Sequence, residues 1–185
     1  GHKIGGRMAS REVRDSGTKF DGRVFDTGAS YFTISDPDFK VVCAELDVAG
    51  IVQPWTDTFH FAHSGGIAGV KAGPMRYRAE GGIRSVVEYL ARDLDIAEGE
   101  VTQVPTDERL ALCMPGPQAA RIFPAASELS GAVWEPVISV SLLFDQVYWA
   151  DFNGIFVNED VQVTWIANDG ARRGDHAPAL VVHMS

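Results

Sequence analysis

The segment that most restricts how this chain can fold is residues 83–94, where apolar side chains recur every three or four positions. The positions between them are mostly polar. This spacing predicts an amphipathic helix whose apolar stripe faces a core. The apolar members of the stripe are Ile83, Val86, Val87, Leu90, Ala91 and Leu94. The segments on both sides of this helix carry strand-like patterns instead.

The rest of the chain mixes strand patterns with a few helical ones. A helix is predicted to begin at Pro37, capped by Ser35 or Asp36, and to end at Gly50. Another is predicted from Pro115 to about Leu129. Strands are predicted at residues 24–26, 55–61, 67–71, 101–104, 110–114, 134–144, 161–166 and 180–184, with turns at 64–66, 106–108 and 168–174. Because strands and helices do not alternate regularly, the sequence predicts an α+β fold with a mixed, largely antiparallel sheet and packed helices.

Composition excludes several classes of function. The 185 residues carry a net charge of −9, which disfavours binding to nucleic acid or to an anionic membrane surface. No apolar run reaches the roughly 20 residues that span a bilayer. Cys43 and Cys113 lie far apart without metal-ligand spacing, so we predict two buried free thiols, no metal site and a cytoplasmic location.

Two glycine-containing stretches near the start carry the candidate chemistry. Gly5-Gly6-Arg7-Met8-Ala9-Ser10-Arg11 pairs a flexible backbone with a guanidinium, which suits close approach to a phosphate. The second stretch, Phe25-Asp26-Thr27-Gly28-Ala29-Ser30-Tyr31-Phe32-Thr33, follows a short apolar strand. Its glycine can bring the backbone close to a flat ligand.

Together these stretches resemble the renalase-like NAD/FAD-dependent oxidoreductases of the flavin-dependent amine oxidase superfamily. That family carries a Gly-Gly-Arg-Met-Ala-Thr/Ser-Arg run and then Phe-Asp-x-Gly-Ala-x-Tyr-Phe-Thr. Later segments are similar too. They are Met114-Pro115-Gly116-Pro117-Gln118-Ala119, Thr164-Trp165-Ile166-Ala167 and Val181-Val182-His183-Met184-Ser185. The likeness therefore extends along nearly the whole chain, in order.

The resemblance implies a division of the chain and a set of ligand contacts. Residues 1–34 would be the remnant of an FAD-facing edge and residues 35–185 a substrate-binding α+β domain, with residues 101–118 on the FAD-facing side. The implied cofactor contacts are Gly5, Gly6, Arg7, Met8, Gly28, Ala29 and Val101. The implied substrate contacts are Tyr31, Phe32, Trp165 and His183, and no catalytic acid or base is identified.

Each of these residues also has a purely structural interpretation. The Gly-Gly-Arg stretch can be a tight turn with a surface arginine, and Gly28 can be a strand-end turn. Tyr31 and Phe32 can pack against a helix. Trp165 can belong to the core, and a lone histidine such as His183 is more often a satisfied core group than a ligand contact.

The activity that the resemblance implies is oxidation of an amine or of a reduced nicotinamide-like compound, a small-molecule substrate. A hydride would pass to FAD, and dioxygen would reoxidise the flavin to give hydrogen peroxide. An alternative is a non-catalytic module that binds a small ligand or a partner. A desaturase or protoporphyrinogen oxidase type is a weaker option, since the longer apolar membrane-facing segments expected of it are not evident.

Some parts of the family pattern are not found in this sequence. The family has a strand and a Gly-x-Gly-x-x-Gly turn before the segment that matches Gly5, and a Gly-Asp segment with a helix after the last matching strand. The connection between Val104 and Leu110 is also shorter than in the family. The resemblance therefore predicts that this chain is a fragment that binds FAD weakly or not at all.

Overall fold

A computed structural model describes residues 4–104, 109–126 and 132–185 of the chain. Its strands are β1 (Ser10–Glu12), β2 (Val24–Asp26), β3 (Phe32–Thr33), β4 (Val52–His63), β5 (Gly66–Ala79), β6 (Ile138–Leu143), β7 (Gly154–Val157), β8 (Val163–Asn168) and β9 (Ala179–Met184). Its helices are α1 (Pro37–Val48), α2 (Arg84–Ala91), α3 (Gly116–Ile122) and α4 (Asp169–Arg173). No helix in the described ranges is long and apolar enough to cross a bilayer.

Seven strands form one sheet in the order β3-β5-β4-β7-β8-β9-β6, and β1 pairs with β2 in a separate two-stranded sheet. β4 and β7 run parallel, whereas the other neighbouring strands run antiparallel. This arrangement confirms the α+β class and the mixed, largely antiparallel sheet. The division at residue 34 and the role of this sheet in a two-domain enzyme remain predictions.

Strand alternation gives the large sheet two apolar faces. On one face Phe25 from β2 packs with Phe59, Trp165 and Val181. On the other face Phe152 and Ile155 pack together, with Leu180 of β9 against them. Leu180 and Val181 are neighbours in β9, so their side chains point to opposite faces of the sheet, as the two-residue period of a strand requires. The small sheet β1–β2 therefore covers only the first of these faces.

The best-predicted elements are those with local start and stop signals. Asp36 caps α1 by accepting hydrogen bonds from the backbone N–H groups of Asp38 and Phe39, both at 2.9 Å, and Pro37 follows it. Gly50 takes a positive φ of 71° just after the helix. α1 and α2 pack on β4 and β5 through a cluster of buried side chains, which are Leu46, Val52, Ala79 and Val86.

Several predicted elements differ from the structure. Residues 101–104 and 109–114 form no strand, and neither edge strand of the sheet, β3 or β6, pairs with them. Residues with a high β propensity do not form a strand without a neighbouring strand to pair with. The strand predicted over 134–144 is confined to β6, and residues 168–174 contain α4 rather than a simple turn. The turn at 106–108 and the end of the helix predicted to reach Leu129 lie outside the described residues.

The two cysteines have different environments. Cys43 is buried in α1, where burial raises the pKa of its thiol. Cys113 is exposed, so the prediction that both thiols are buried is wrong for Cys113. It lies in the irregular segment before α3, which no strand covers. Both cysteines are free, as predicted.

Candidate functional site

The two glycine-containing stretches lie side by side at the end of the small sheet. The backbone N–H of Ala29 donates to the carbonyl of Arg7 at 2.8 Å, and the N–H of Gly28 donates to the carbonyl of Ala9 at 3.0 Å. These bonds continue the antiparallel pairing of β1 with β2, in which Ser10 is opposite Asp26. Residues about twenty positions apart in sequence therefore form one corner, which we call the glycine corner (residues 5–9 and 27–29).

Gly28 allows the two stretches to approach this closely. A Cβ atom at this position would lie 1.9 Å from the carbonyl oxygen of Arg7 and 2.7 Å from the backbone nitrogen of Ala9. Both obstacles are backbone atoms, which cannot rotate away. Any other residue at position 28 would separate the two strands of the corner. Gly6, in contrast, has a positive φ of 47° and open space where a side chain would be.

Asp26 anchors the glycine corner to α2. Its carboxylate is 1% exposed and accepts hydrogen bonds at 2.7 Å from the Ser10 hydroxyl and from the backbone N–H of Ile83. The N–H of Arg84 donates in turn to the Ser10 hydroxyl at 3.1 Å. Gly82 lies against this group, and a Cβ added at position 82 would be only 2.6 Å from the Ser10 oxygen, so a side chain would not fit there. The glycine-rich entrance to α2 therefore serves packing beside the corner.

A buried ion network joins the same corner to α4. Arg173 pairs with Asp26 at 3.1 Å. Arg172 pairs with Asp169, and both side chains of this second pair are almost completely buried. Arg172 also donates to the carbonyl of Ser30 at 3.0 Å, just beyond the corner. Burial lowers the pKa of Arg173, an effect that Asp26 and Asp169 oppose. Because the charges are paired and hydrogen-bonded, the network holds residues 26–30 in one position.

Arg23 extends this network to the surface. It pairs with Asp169 at 2.7 Å and with Asp175 at 2.5 Å. Burial works against the charge of Asp175, but the hydrogen bonds from Arg23 and from the Ala177 N–H, together with the charge of Arg23, outweigh it and lower the pKa of that carboxyl. The Arg23 guanidinium also lies 5.4 Å from the centre of the Phe25 ring. β2 is thereby attached to the segment that leads into β9.

Two large cavities meet at the glycine corner. The first, of about 1060 Å³, lies between the corner, the small sheet and the end of the large sheet at β6 and β9; among its lining residues are Gly6, Arg7, Gly28, Ala29 and His183. The second, of about 1050 Å³, lies between the corner, α3 and residues 99–102; among its lining residues are Gly5, Gly6, Arg7, Met8 and Val101. Gly6, Arg7 and Pro115 line both. All seven predicted cofactor residues therefore line one or both of these adjacent cavities.

A pair of unsatisfied polar atoms lies in the first cavity. Ser139 of β6 is directly opposite His183 of β9, and both side chains line the cavity. The Ser139 hydroxyl and His183 Nε2 are shielded from solvent and have no hydrogen-bond partner among the described residues. Leaving such a group unpaired costs about 1–3 kcal/mol. Water or a ligand with complementary polar atoms would satisfy both.

The charges around the first cavity are mixed. Arg7 and Arg11 face it together with Glu12 and Glu135. The guanidinium of Arg7 lies 5.7 Å from the centre of the Trp134 ring, which holds it over an aromatic wall. Burial, and secondarily the charge of Arg172, lowers the pKa of His183. Its imidazole is therefore neutral at pH 7 and can both donate and accept a hydrogen bond.

The remaining predicted substrate residues lie elsewhere. Trp165 is 6% exposed, donates from Nε1 to the Ser30 hydroxyl at 3.0 Å and packs in the aromatic core. Tyr31 packs on the same cluster, with its ring centre 5.9 Å from that of Trp165. Phe32 contacts Phe39 of α1 and Tyr77 of β5. Of the four predicted substrate residues, only His183 lines the first cavity.

Sequence reasoning missed several residues of the first cavity. Ser139 and Ser141 occupy alternate positions of an otherwise apolar strand, and both face the cavity. A serine at every second position of such a strand is a detectable signal for a polar stripe. Trp134 and Glu135 gave no comparable signal, because they lie in an irregular segment that the sequence predicted to be a strand.

The chain was compared with known proteins, and neither the protein-family models nor the curated proteins contain a match. The likeness to renalase-like oxidoreductases therefore rests on the residues quoted above.

Proposed function

We propose that this chain forms the flavin-facing and substrate-binding part of an FAD-dependent oxidoreductase of the amine oxidase type. The single observation that supports this function most is the glycine corner. Two stretches that resemble flavin contacts are hydrogen-bonded to each other, and the corner borders two adjacent cavities. The seven residues that the resemblance assigns to the cofactor all line these two cavities.

The residues around the two cavities fit the parts of FAD. FAD has two flat ring systems joined by a charged pyrophosphate, and the two cavities meet at Gly6 and Arg7. Gly6 leaves its backbone open, and Arg7 supplies a guanidinium, which is suited to a phosphate. The isoalloxazine would lie in the first cavity against Gly28 and Ala29, and the adenosine would lie in the second beside Val101.

Each residue then has a defined task. When bound, FAD supplies the acceptor for a hydride from an amine or a reduced nicotinamide-like substrate, and dioxygen takes the electrons onward. Arg7 binds the phosphates, while the buried network around Asp26 keeps Gly28 and Ala29 in position. Neutral His183 and Ser139 orient the substrate by hydrogen bonds, with His183 Nε2 able to accept a proton. Trp134 and Phe25 exclude water from the same space.

A titration with FAD tests this proposal on the chain itself. We expect weak, saturable binding, because Arg7 is the only guanidinium that the described residues bring to the junction of both cavities. In ¹⁵N-labelled protein, FAD should shift the backbone signals of Gly6, Arg7, Gly28 and Ala29. Arg7→Ala should weaken this binding about tenfold or more, since a charge-assisted bond to phosphate is lost.

The matched control is Arg92→Ala, in which an exposed arginine that lines neither cavity is removed. This variant should bind FAD as the parent chain does. If FAD shifts signals only outside the two cavities, or if Arg7→Ala binds it unchanged, the proposal is wrong.

A second candidate function is a non-catalytic module that binds a small ligand. The unsatisfied Ser139 hydroxyl and His183 Nε2 favour it, because they call for a polar ligand whether or not a flavin is present. The two functions differ in redox chemistry. Anaerobic bleaching of protein-bound FAD by candidate amines or reduced nicotinamides supports the oxidoreductase, whereas ligand binding without any change in the flavin spectrum supports the module.

A further inference from the structure

A third cavity lies away from the glycine corner. It has a volume of about 440 Å³ and lies on the side of the large sheet that carries the Phe152 and Ile155 cluster, opposite Trp165. This volume is within the usual range of small-molecule sites. Its wall combines apolar and polar side chains, and the members are His60, Val147, Trp149, Asp151, Phe152, Asn153, Asn168, Ala171, His176 and Ala177.

Two buried nitrogen atoms of this wall have no partner. Trp149 Nε1 and His60 Nδ1 are shielded from solvent and make no hydrogen bond within the described residues. An indole N–H can only donate, so it requires an acceptor oxygen. Neither amide side chain of the wall accepts a hydrogen bond from this N–H in the described structure. Asn153 donates to Thr56, and the Asn168 side chain is occupied by the Phe152 carbonyl and the Ala171 N–H.

The same cavity offers a place for a positive charge. Asp151 lines it and forms no ion pair or hydrogen bond with any residue that the structure describes. No arginine or lysine is among the lining residues. A simple anion would satisfy Trp149 and His60 but would be repelled by Asp151. A ligand that carries an acceptor oxygen and a cation together suits all three.

The apolar part of the wall indicates that the ligand also has an apolar group. Val147, Phe152, Ala171 and Ala177 supply carbon surface next to these polar groups. His176 takes a left-handed backbone conformation, with φ of 54°, in the same wall. This conformation is uncommon for residues other than glycine, although histidine adopts it more readily than most.

We propose that this cavity is a second ligand site, independent of the flavin proposal, and that it binds a free α-amino acid with an apolar side chain. The carboxylate accepts hydrogen bonds from Trp149 Nε1 and His60 Nδ1, and the ammonium group faces Asp151. The apolar side chain lies against Phe152 and Val147. No bond is made or broken in this event.

Indole N–H signals test the proposal in the ¹⁵N-labelled chain. The chain contains four tryptophans, and Trp149→Phe identifies the signal of Trp149 by its loss while keeping a ring to pack on Phe144. The probe is L-phenylalanine, compared with 3-phenylpropanoate, which lacks the ammonium, and 2-phenylethylamine, which lacks the carboxylate. We expect a saturable shift of the Trp149 signal by L-phenylalanine and at least about tenfold weaker binding of the other two compounds.

Two variants separate this site from general effects. Asp151→Asn should weaken L-phenylalanine binding about tenfold or more, whereas Asp95→Asn, at an exposed position outside the cavity, should leave it unchanged. The proposal is overturned if L-phenylalanine leaves the Trp149 signal unmoved up to its solubility limit. It is equally overturned if 3-phenylpropanoate binds as tightly, or if Asp151→Asn has no effect.

Discussion

Replacement of Gly28 by alanine is the sharpest perturbation of the glycine corner. The new Cβ would lie 1.9 Å from the Arg7 carbonyl oxygen and 2.7 Å from the Ala9 nitrogen, so the two stretches must separate. Overpacking of this kind costs about 1–3 kcal/mol. Separation also weakens the two backbone hydrogen bonds from Gly28 and Ala29, each worth about 1 kcal/mol. We expect a total loss of about 3–5 kcal/mol, a large fraction of the stability of a domain.

Urea denaturation followed by tryptophan fluorescence measures this loss. The matched control is Gly65→Ala, because a Cβ added at Gly65 would meet no atom within 4 Å and the φ of this residue is not positive. Gly65→Ala should change the free energy of unfolding by less than about 0.5 kcal/mol. If Gly28→Ala is as stable as Gly65→Ala, the close approach of the two stretches does not exist in solution, and the reasoning behind the corner is refuted.

Three further predictions concern the surroundings of the corner. Asp26→Asn should lower the free energy of unfolding by about 3 kcal/mol, because it removes the carboxylate closest to the buried guanidinium of Arg173 and leaves Asp169 alone to balance the buried arginines. Asp95→Asn should have little effect, and equal losses in urea denaturation would contradict this prediction. His183 has a lowered folded-state pKa, so its contribution to stability is present above its unfolded pKa of about 6.5 and is lost as pH falls from there toward the folded pKa. When the pH is lowered from about 7.5 to about 5.5, a range that brackets the unfolded pKa, the free energy of unfolding should therefore fall less in His183→Asn than in the parent chain. An equal fall in both proteins would argue against a buried neutral histidine. Asp36→Ala should cost about 1 kcal/mol through the loss of the α1 cap, and a thermal midpoint equal to that of the parent would contradict the cap geometry.

The sequence predicted the elements whose signals are local. The cap at Asp36, the proline after it and the glycine at position 50 locate α1, and alternation locates the β4–β5 hairpin. Where local signals are shared by two structures, prediction failed. An asparagine at 168 and a glycine at 174 suit a turn as well as a short helix. What distinguishes the helix α4 from a turn is the buried pair of Arg172 with Asp169, which the sequence does not reveal.

The sequence predicted only the part of the candidate site that is formed by recognisable motifs. Both stretches of the glycine corner were recognised from their residue types and spacing, but their hydrogen bonds depend on the pairing of β1 with β2. The role of Ser139 depends on its position opposite His183, which pairs strands far apart in sequence. Trp165 shows the reverse case. Its aromatic ring suggested a cavity wall, but Ser30 satisfies its N–H and the core buries it.

The most direct test of the central claim is whether the flavin ring contacts the glycine corner. Alanine methyl groups labelled with ¹³C allow intermolecular NOEs from the isoalloxazine protons of added FAD to be detected. The account predicts NOEs to the methyl groups of Ala29 and Ala9, which line the first cavity, and none to Ala62 on the opposite face of the sheet. NOEs to Ala62 without any to Ala29 would contradict it.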